Sequence, residues 1–397
     1  MRSTPVRRLR LMGICFLGAL ALAAVTNRVA DPYGIWRAQA IDDAYRRLHD
    51  DRLSRPYRLL RERPVTVLLG NSRVAWGMPV AGAASDGVFN AALPGARLDD
   101  IEALADAATQ QPQVKRLVWA IDLALVESSL KASPPEEVEA LRDRLQGSRS
   151  LMITEALLSE AALADSWRVM QRLADSFLGR ADLALPRTVA WSPERLRADL
   201  TSLVHGGAPT RDESALGREL VEWGSWYRRY RFDEGSWMRA LTLAATARSR
   251  GVEVVIVLLP MREYELEAIR QTGRWELYQQ WKRRLLEVGP YWDFSGYGAV
   301  ARMDELYPDL VHIHPAMGHV ILRRLLDEDC RACGETAQRI LATGVWVDEP
   351  SIDAHLRRQD AMRVAREQEP SRYAEVVARY LDDDPSRRTS EAQFAGP

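Results

Sequence analysis

Two periods of hydrophobic and polar residues alternate along this chain. Val65-Thr66-Val67-Leu68-Leu69 is a short apolar and β-branched run that ends at Gly70-Asn71, the pattern of a buried strand meeting a tight turn. Val88-Phe89-Asn90 and the run Arg116 to Asp122 read the same way, with a helical segment over Leu98 to Ala108 between them. The run Val252 to Leu259 is nearly all apolar and predicts a central parallel strand covered on both faces. A helix over Trp237 to Arg250 leads into it through Gly251, which suits a C-cap. A helix near Trp275 to Glu287, then Tyr291-Trp292-Asp293-Phe294, the loop Tyr307 to Pro315 and a helix from Ala316 to Asp327 complete the series. Strand, helix and strand in repetition predict an α/β fold, a parallel sheet with helices on both faces.

Elsewhere the period is helical. Asp31-Pro32-Tyr33-Gly34 reads as a turn and Ala38 to Arg61 as an arginine-rich amphipathic helix. From Pro134 to Arg250 the pattern is almost wholly helical, broken at Pro186, Pro193 and His205-Gly206-Gly207-Ala208-Pro209, and predicts a large helical insertion over one end of the sheet. Residues after Val347 are charged and helix-prone, and Asp382 to Pro397 has the composition of a disordered tail. The expected division is 1–28 as a membrane segment, 29–133 and 237–346 as the two parts of the sheet domain, 134–236 as the insertion and 347–397 as the tail.

The first thirty residues stand apart. Arg2, Arg7, Arg8 and Arg10 precede the uncharged apolar run Leu11 to Val25, a basic segment followed by a hydrophobic one, as in membrane targeting. Fifteen apolar residues are short of the ~20 that cross a bilayer upright, but snorkelling arginines and local thinning make up such a deficit. A signal anchor is the favoured reading. A cleaved signal peptide stays open, because Ala21-Leu22-Ala23 offers a small-x-small site. Since positive charge stays inside, either reading sends the bulk of the chain to the periplasmic or extracytoplasmic side of a bacterial inner membrane.

Composition adds exclusions. With 47% hydrophobic residues the chain has the material for a folded core, and 54 Lys+Arg against 55 Asp+Glu leave no net field to attract nucleic acid. Of three cysteines, Cys15 lies in the apolar run, while Cys330 and Cys333 form a Cys-x-x-Cys. In an oxidising compartment that pair most simply closes a short disulfide. It follows a helix, whereas a thioredoxin-like redox pair sits between strand and helix, and no second Cys or His pair stands nearby to complete a zinc site.

The chemistry gathers at two places. Gly70-Asn71-Ser72-Arg73 directly follows a strand, where a doubly wound sheet presents groups at its carboxyl edge. A serine in that position is either a nucleophile or a helix N-cap. Near the other end, Tyr307-Pro308-Asp309-Leu310-Val311-His312 places an acid three residues before a histidine on one loop. Asp309 can then hold the Nδ1 side of His312 while Nε2 faces a serine. His314 lacks an acid at that offset, and His319 falls in the following helix. Arg262 follows a strand and Pro260-Met261, so it is expected to face the crevice and bind substrate, as is Arg73 beside the serine. Asp293 is expected to fix its own loop. Trp76, Trp223, Trp226 and Trp292 are either core residues or surfaces on which sugars stack.

These blocks resemble the SGNH (GDSL-like) hydrolase superfamily, in particular its membrane-anchored bacterial members that act on envelope polysaccharides. The likeness begins at Asp31-Pro32-Tyr33-Gly34, continues through Leu69-Gly70-Asn71-Ser72-Arg73 and Phe89-Asn90-Ala91-Ala92-Leu93-Pro94-Gly95, and ends with Asp293-Phe294-Ser295-Gly296-Tyr297 and Asp309-x-x-His312 with Pro315 and Gly318. It implies an SGNH (flavodoxin-like) sheet, a catalytic triad of Ser72, Asp309 and His312, and an oxyanion site formed by the backbone N–H groups of Ser72 and Gly95. At the third block the chain departs from the family: Ile121-Asp122-Leu123 stands where an oxyanion-binding Asn is usual. An ionised carboxylate cannot donate there and would repel the oxyanion. Either a group such as Arg73 replaces the Asn, or Asp122 is structural.

The resemblance implies an acyl-ester enzyme that needs no cofactor or metal. It would transfer O-acetyl groups to, or remove them from, an exported polysaccharide or other acylated carbohydrate, beside a membrane-bound acyltransferase. The alternative is a non-catalytic factor of the same fold that binds or assembles a polysaccharide-modification complex.

Overall fold

The apolar runs assemble into one six-stranded sheet: β1 (Thr66–Leu69), β2 (Val88–Asn90), β3 (Arg116–Ala120), β4 (Glu253–Leu258), β5 (Tyr291–Asp293) and β6 (Val345–Val347). Their spatial order is β2-β1-β3-β4-β5-β6. The first five are parallel, with Leu68 opposite Asn90 and Val118, and Val118 opposite Val255. The sheet is mixed, because β6 pairs antiparallel to β5 through Trp292 and Trp346. The sequence did not signal this edge strand: at three residues it is too short to show a period.

The computed structural model describes residues 5–36, 51–78, 87–128, 133–180, 192–206, 213–369 and 371–382. They fall into two compact units. The larger comprises Pro64–Val80, Val88–Ser133 and Trp191–Pro397 and holds the sheet. All four residues of β1 are buried, as a strand covered on both faces requires. One face, through Leu68, Val118, Val257 and Leu259, packs on helices Ser72–Gly77, Pro193–Gly206, Pro315–Leu325 and Glu335–Thr343. Helices Leu98–Thr109 and Glu234–Ser249 pack on β1 and β4 and on each other, outside that core, and cover the opposite face.

The smaller unit comprises Met1–Arg63, Ala81–Gly87 and Pro134–Ala190. Its core gathers Tyr33, Ile35, Leu53, Tyr57, Ala156 and Ala162. The turn at Asp31-Pro32-Tyr33-Gly34 is built here: Gly34 N–H donates to Asp31 O at 3.0 Å, and the Asp31 carboxylate accepts from Trp36 N–H at 3.1 Å. Tyr57 OH donates to Glu155 Oε2 at 2.7 Å, and Arg144 pairs with the same carboxylate at 2.8 Å. Helix Pro5–Ala30 is longer than the apolar run alone suggests. At 1.5 Å per residue, the 25-residue stretch Val6–Ala30 extends about 37 Å against ~30 Å of hydrocarbon. It is long and apolar enough to cross a membrane once, as an anchor or a signal sequence.

The helical stretch 134–236, expected as one insertion, is shared between the units at residue 190. Its later part joins the sheet unit because helix Glu213–Arg229 packs on helices Glu263–Gln271 and Arg372–Asp382. Gly217 and Gly224 permit that approach: a Cβ there would fall 2.2 Å from Tyr380 Cε1 and 2.0 Å from Leu381 Cδ2. The charged segment after Val347 is likewise part of the sheet unit, burying Ile352, His355, Leu356, Tyr373, Val377 and Leu381. The expected disordered tail beyond Asp382, and positions 38–50 of the expected amphipathic helix, lie outside the described residues.

Candidate active site

Ser72 opens the helix that follows β1. Gly70 allows the sharp exit from the strand, since a Cβ there would stand 2.5 Å from Val74 Cγ2. Asn71, not Ser72, caps the helix: its Oδ1 accepts from Arg73 N–H at 3.0 Å. The Ser72 hydroxyl is therefore spared from capping, and His312 Nε2 lies 2.9 Å from it. On the other side of the imidazole, Nδ1 is 2.7 Å from Asp309 Oδ2. Asp309 Oδ1 accepts from the backbone N–H groups of Val311 and His312 at 3.0 and 2.7 Å, which locks the carboxylate inside its own loop. Burial alone would raise the Asp309 carboxyl, but the His312 ring and these two N–H groups outweigh it and hold the group down at about 2. Such a carboxylate is ionised at neutral pH and fixes the proton on Nδ1, leaving Nε2 as an acceptor facing Ser72.

The two halves of this constellation come from opposite ends of the chain and are held together by a glycine contact. Helix Pro315–Leu325 runs past helix Ser72–Gly77 at a point where a Cβ on Gly318 would lie 1.8 Å from Gly77 O. Trp76, half exposed, packs its indole on the His312 ring with centroids 4.6 Å apart. It thus forms one wall of the site, a role that its sequence position alone did not single out.

His314 takes a different part: its Nδ1 accepts from Ala316 N–H at 3.2 Å and caps the following helix, and burial lowers its pKa. His319 is buried inside that helix. Gly95 is exposed in the turn that Ala96 N–H closes onto Leu93 O at 3.0 Å, and Leu93 N–H donates to Gly70 O at 3.2 Å, so the turn lies alongside the Ser72 loop. Its φ of 68° is one that glycine tolerates and β-carbon residues resist.

The two arginines differ from the expectation of substrate-facing cations. Arg73 turns inward and ion-pairs with the fully buried Glu265, with Asp122 Oδ2 at 3.8 Å from its Nε. Tyr227 OH donates to the same Glu265 carboxylate at 2.9 Å. Burial pushes Glu265 upward and Arg73 opposes it, with a net rise above the ordinary carboxylate range. Arg262 is buried as well, because the chain turns at Pro260-Met261 and begins helix Glu263–Gln271; its Nε donates to Asp304 Oδ1 at 2.9 Å. Asp122 Oδ2 accepts from Asn71 Nδ2 at 2.6 Å, so it ties the end of β3 to the serine turn.

Asn71, Arg73 and Asp122 line a small pocket together with Trp223, Trp226, Tyr227, Tyr278 and Trp281. Trp292 instead packs edge-on against Trp346 between β5 and β6. Asp293 holds its loop through the N–H and hydroxyl of Ser295 at 2.8 and 2.6 Å, and meets the buried Lys282 and His355 at 2.9 and 2.8 Å. Cys330 and Cys333 are joined as a disulfide.

No family model matches the chain, and no curated protein matches it as a relative. The fold and the constellation define an α/β protein with a Ser-His-Asp arrangement at the carboxyl edge of a mostly parallel sheet.

Proposed function

We propose that this protein is an SGNH-type acyl-ester enzyme of the bacterial envelope, held at the inner membrane by helix Pro5–Ala30 with its folded units outside the cytoplasm. The observation that carries the proposal is the unbroken chain of contacts from Ser72 Oγ to His312 to Asp309. Ser72 Oγ attacks an acyl carbonyl as His312 Nε2 takes its proton, and Asp309 stabilises the imidazolium that results. His312 then returns the proton to the leaving alcohol. Water, or a sugar hydroxyl deprotonated by the same nitrogen, resolves the acyl-enzyme. The exported polysaccharide, the membrane-bound acyl donor and the backbone oxyanion donors at Ser72 and Gly95 belong to this proposal through the family resemblance.

Asp122 favours a second reading. Its carboxylate occupies the Asn71 amide at the edge of the site, and it stands where the resemblance leads one to expect an asparagine donor for the oxyanion. Losing one such donor costs about 2.7–4 kcal/mol of transition-state stabilisation. A protein that keeps the fold to bind or assemble would tolerate that loss.

A fluorophosphonate probe separates the two readings. The expected result is labelling of the wild type and none of Ser72→Ala or His312→Ala, with all three equally folded. Wild-type protein that stays unlabelled, or Ser72→Ala protein that labels as strongly, refutes the enzyme reading. For topology, an alkaline-phosphatase fusion after residue 60 that is inactive would refute export.

A further inference from the structure

We propose that helix Glu160–Phe177 is a second membrane-contacting element, laid into the boundary of the bilayer that helix Pro5–Ala30 crosses. The inference rests on the reading of that first helix as a membrane anchor. Helix Glu160–Phe177 has three faces rather than the two of an ordinary surface helix. Ala162, Asp165, Ser166 and Val169 are buried, and Val169 packs against Ala30 of the N-terminal helix, with Leu173 against that pair. Glu160, Arg168, Gln171 and Asp175 form an exposed polar face. Between these two runs a third, apolar and exposed: Leu163, Trp167, Met170, Phe177 and Leu178, at helical spacing, with Trp167 64% and Phe177 91% exposed. Large side chains lined up in water on one face mark a contact surface.

The occupant follows from what the helix packs on. Tyr33 OH bonds Asp165 Oδ2 at 2.9 Å and Val169 packs on Ala30, so the middle of the helix lies against the end of the N-terminal helix and the turn that follows it. The turns just before Ala30 expose Val29, Val25 and Leu22, which on the anchor reading meet hydrocarbon. The apolar stripe is therefore continuous with the surface of the membrane helix. Trp167 lies on this stripe, and tryptophan favours the headgroup layer; Gly179, with φ of 63°, ends the helix. A helix with these faces lies in the interface and does not span it. The smaller unit is thus seated on the bilayer and not tethered at a distance.

The test uses the full chain in phosphatidylcholine/phosphatidylglycerol nanodiscs with an environment-sensitive nitrobenzoxadiazole label on single cysteines. In a Cys15→Ser background, Trp167→Cys, Phe177→Cys and Gln171→Cys are labelled; native Cys15, exposed on the N-terminal helix, reports the anchor. The expected result is loss of emission at 167 and 177 with spin-labelled lipid and little with aqueous iodide, the reverse at 171, and a blue-shifted spectrum at 177. Iodide quenching at 167 and 177 equal to that at 171, with Cys15 still quenched by lipid, overturns the proposal and leaves the anchor standing. Shielding of 167 and 177 from both quenchers also overturns it, in favour of a protein partner on this face. Absence of lipid quenching at Cys15 removes the anchor and this inference together.

Discussion

Gly318→Ala is the substitution that tests how the candidate site is held together. The added Cβ would fall 1.8 Å from Gly77 O, 2.7 Å from Gly77 C and 3.1 Å from Met78 Cγ. The first two are backbone atoms, so no rotamer change relieves them. To reach even 3.0 Å, helix Pro315–Leu325 must retreat by about 1.2 Å from helix Ser72–Gly77. The first helix carries the His312 loop at its start and the second carries Ser72, so the displacement acts directly on the 2.9 Å contact between them. If the whole retreat lies along it, the contact opens to about 4 Å, beyond hydrogen-bond reach. Misplacement by about 1 Å costs on the order of 10²-fold in rate, and overpacking of this kind costs about 1–3 kcal/mol. The assay is the second-order rate of fluorophosphonate labelling at Ser72, with the urea midpoint measured in parallel. Gly298→Ala serves as control, because its Cβ would meet only Met362 Cε at 3.7 Å. Wild-type labelling and a wild-type midpoint in Gly318→Ala would show that the glycine contact does not set the site.

The other expected outcomes concern stability. Asp293→Asn leaves the Lys282 ammonium buried without its counter-charge and should cost about 3–5 kcal/mol; adding Lys282→Met should restore most of the urea midpoint, and failure of that rescue would place the loss elsewhere. The Asp309 carboxyl is depressed from 3.8 to about 2, so the stability it contributes is complete above pH 3.8 and is lost as the pH falls through 2. Titrating wild type and Asp309→Asn over that range should narrow the gap between their urea midpoints as the pH falls, and a gap that stays constant would refute the linkage. Replacing Cys330 and Cys333 together with Ala opens a loop closed over three residues of separation and should cost about 2 kcal/mol, the same loss that reductant produces in the wild type.

The parallel strands were legible because each is a continuous apolar run, and a strand buried on both faces has no other way to be written. Thr66–Leu69 and Glu253–Leu258 each fall within a residue of the runs that predicted them. What escaped was everything decided by contact at long range. β6 is three residues whose pairing with β5 rests on Trp346 meeting Trp292 across the sheet. The helical stretch after Pro134 keeps one period on both sides of its breaks at Pro186 and Pro193, and a break in period does not say that the partners change there, near residue 190. The small residues Gly217 and Gly224, which decide that helix Glu213–Arg229 lies against Tyr380 and Leu381, read locally as weak points of a helix.

The site divides along the same line. Ser72, Asp309 and His312 were legible because strand-end turns and the Asp-x-x-His offset are local patterns. Asn71 was legible in kind, being a favoured capping residue, and its capping role removes the competing explanation of Ser72. Arg73 misled, because an arginine beside a nucleophile reads as a substrate clamp until its partner is known. That partner, Glu265, lies 192 residues away on a helix whose other acids face different ions. Once Glu265 and Tyr227 are in place, Arg73 and Asp122 become one internal network that fixes the turn from behind. Arg73 cannot then reach an oxyanion without leaving a buried carboxylate uncompensated, a loss of several kcal/mol. On the proposed enzyme reading, transition-state charge formed at Ser72 is then not met by this side chain. Arg73→Ala is accordingly expected to lower the urea midpoint more than it lowers the labelling rate of the protein that remains folded, and the reverse order would restore Arg73 as a participant in the chemistry.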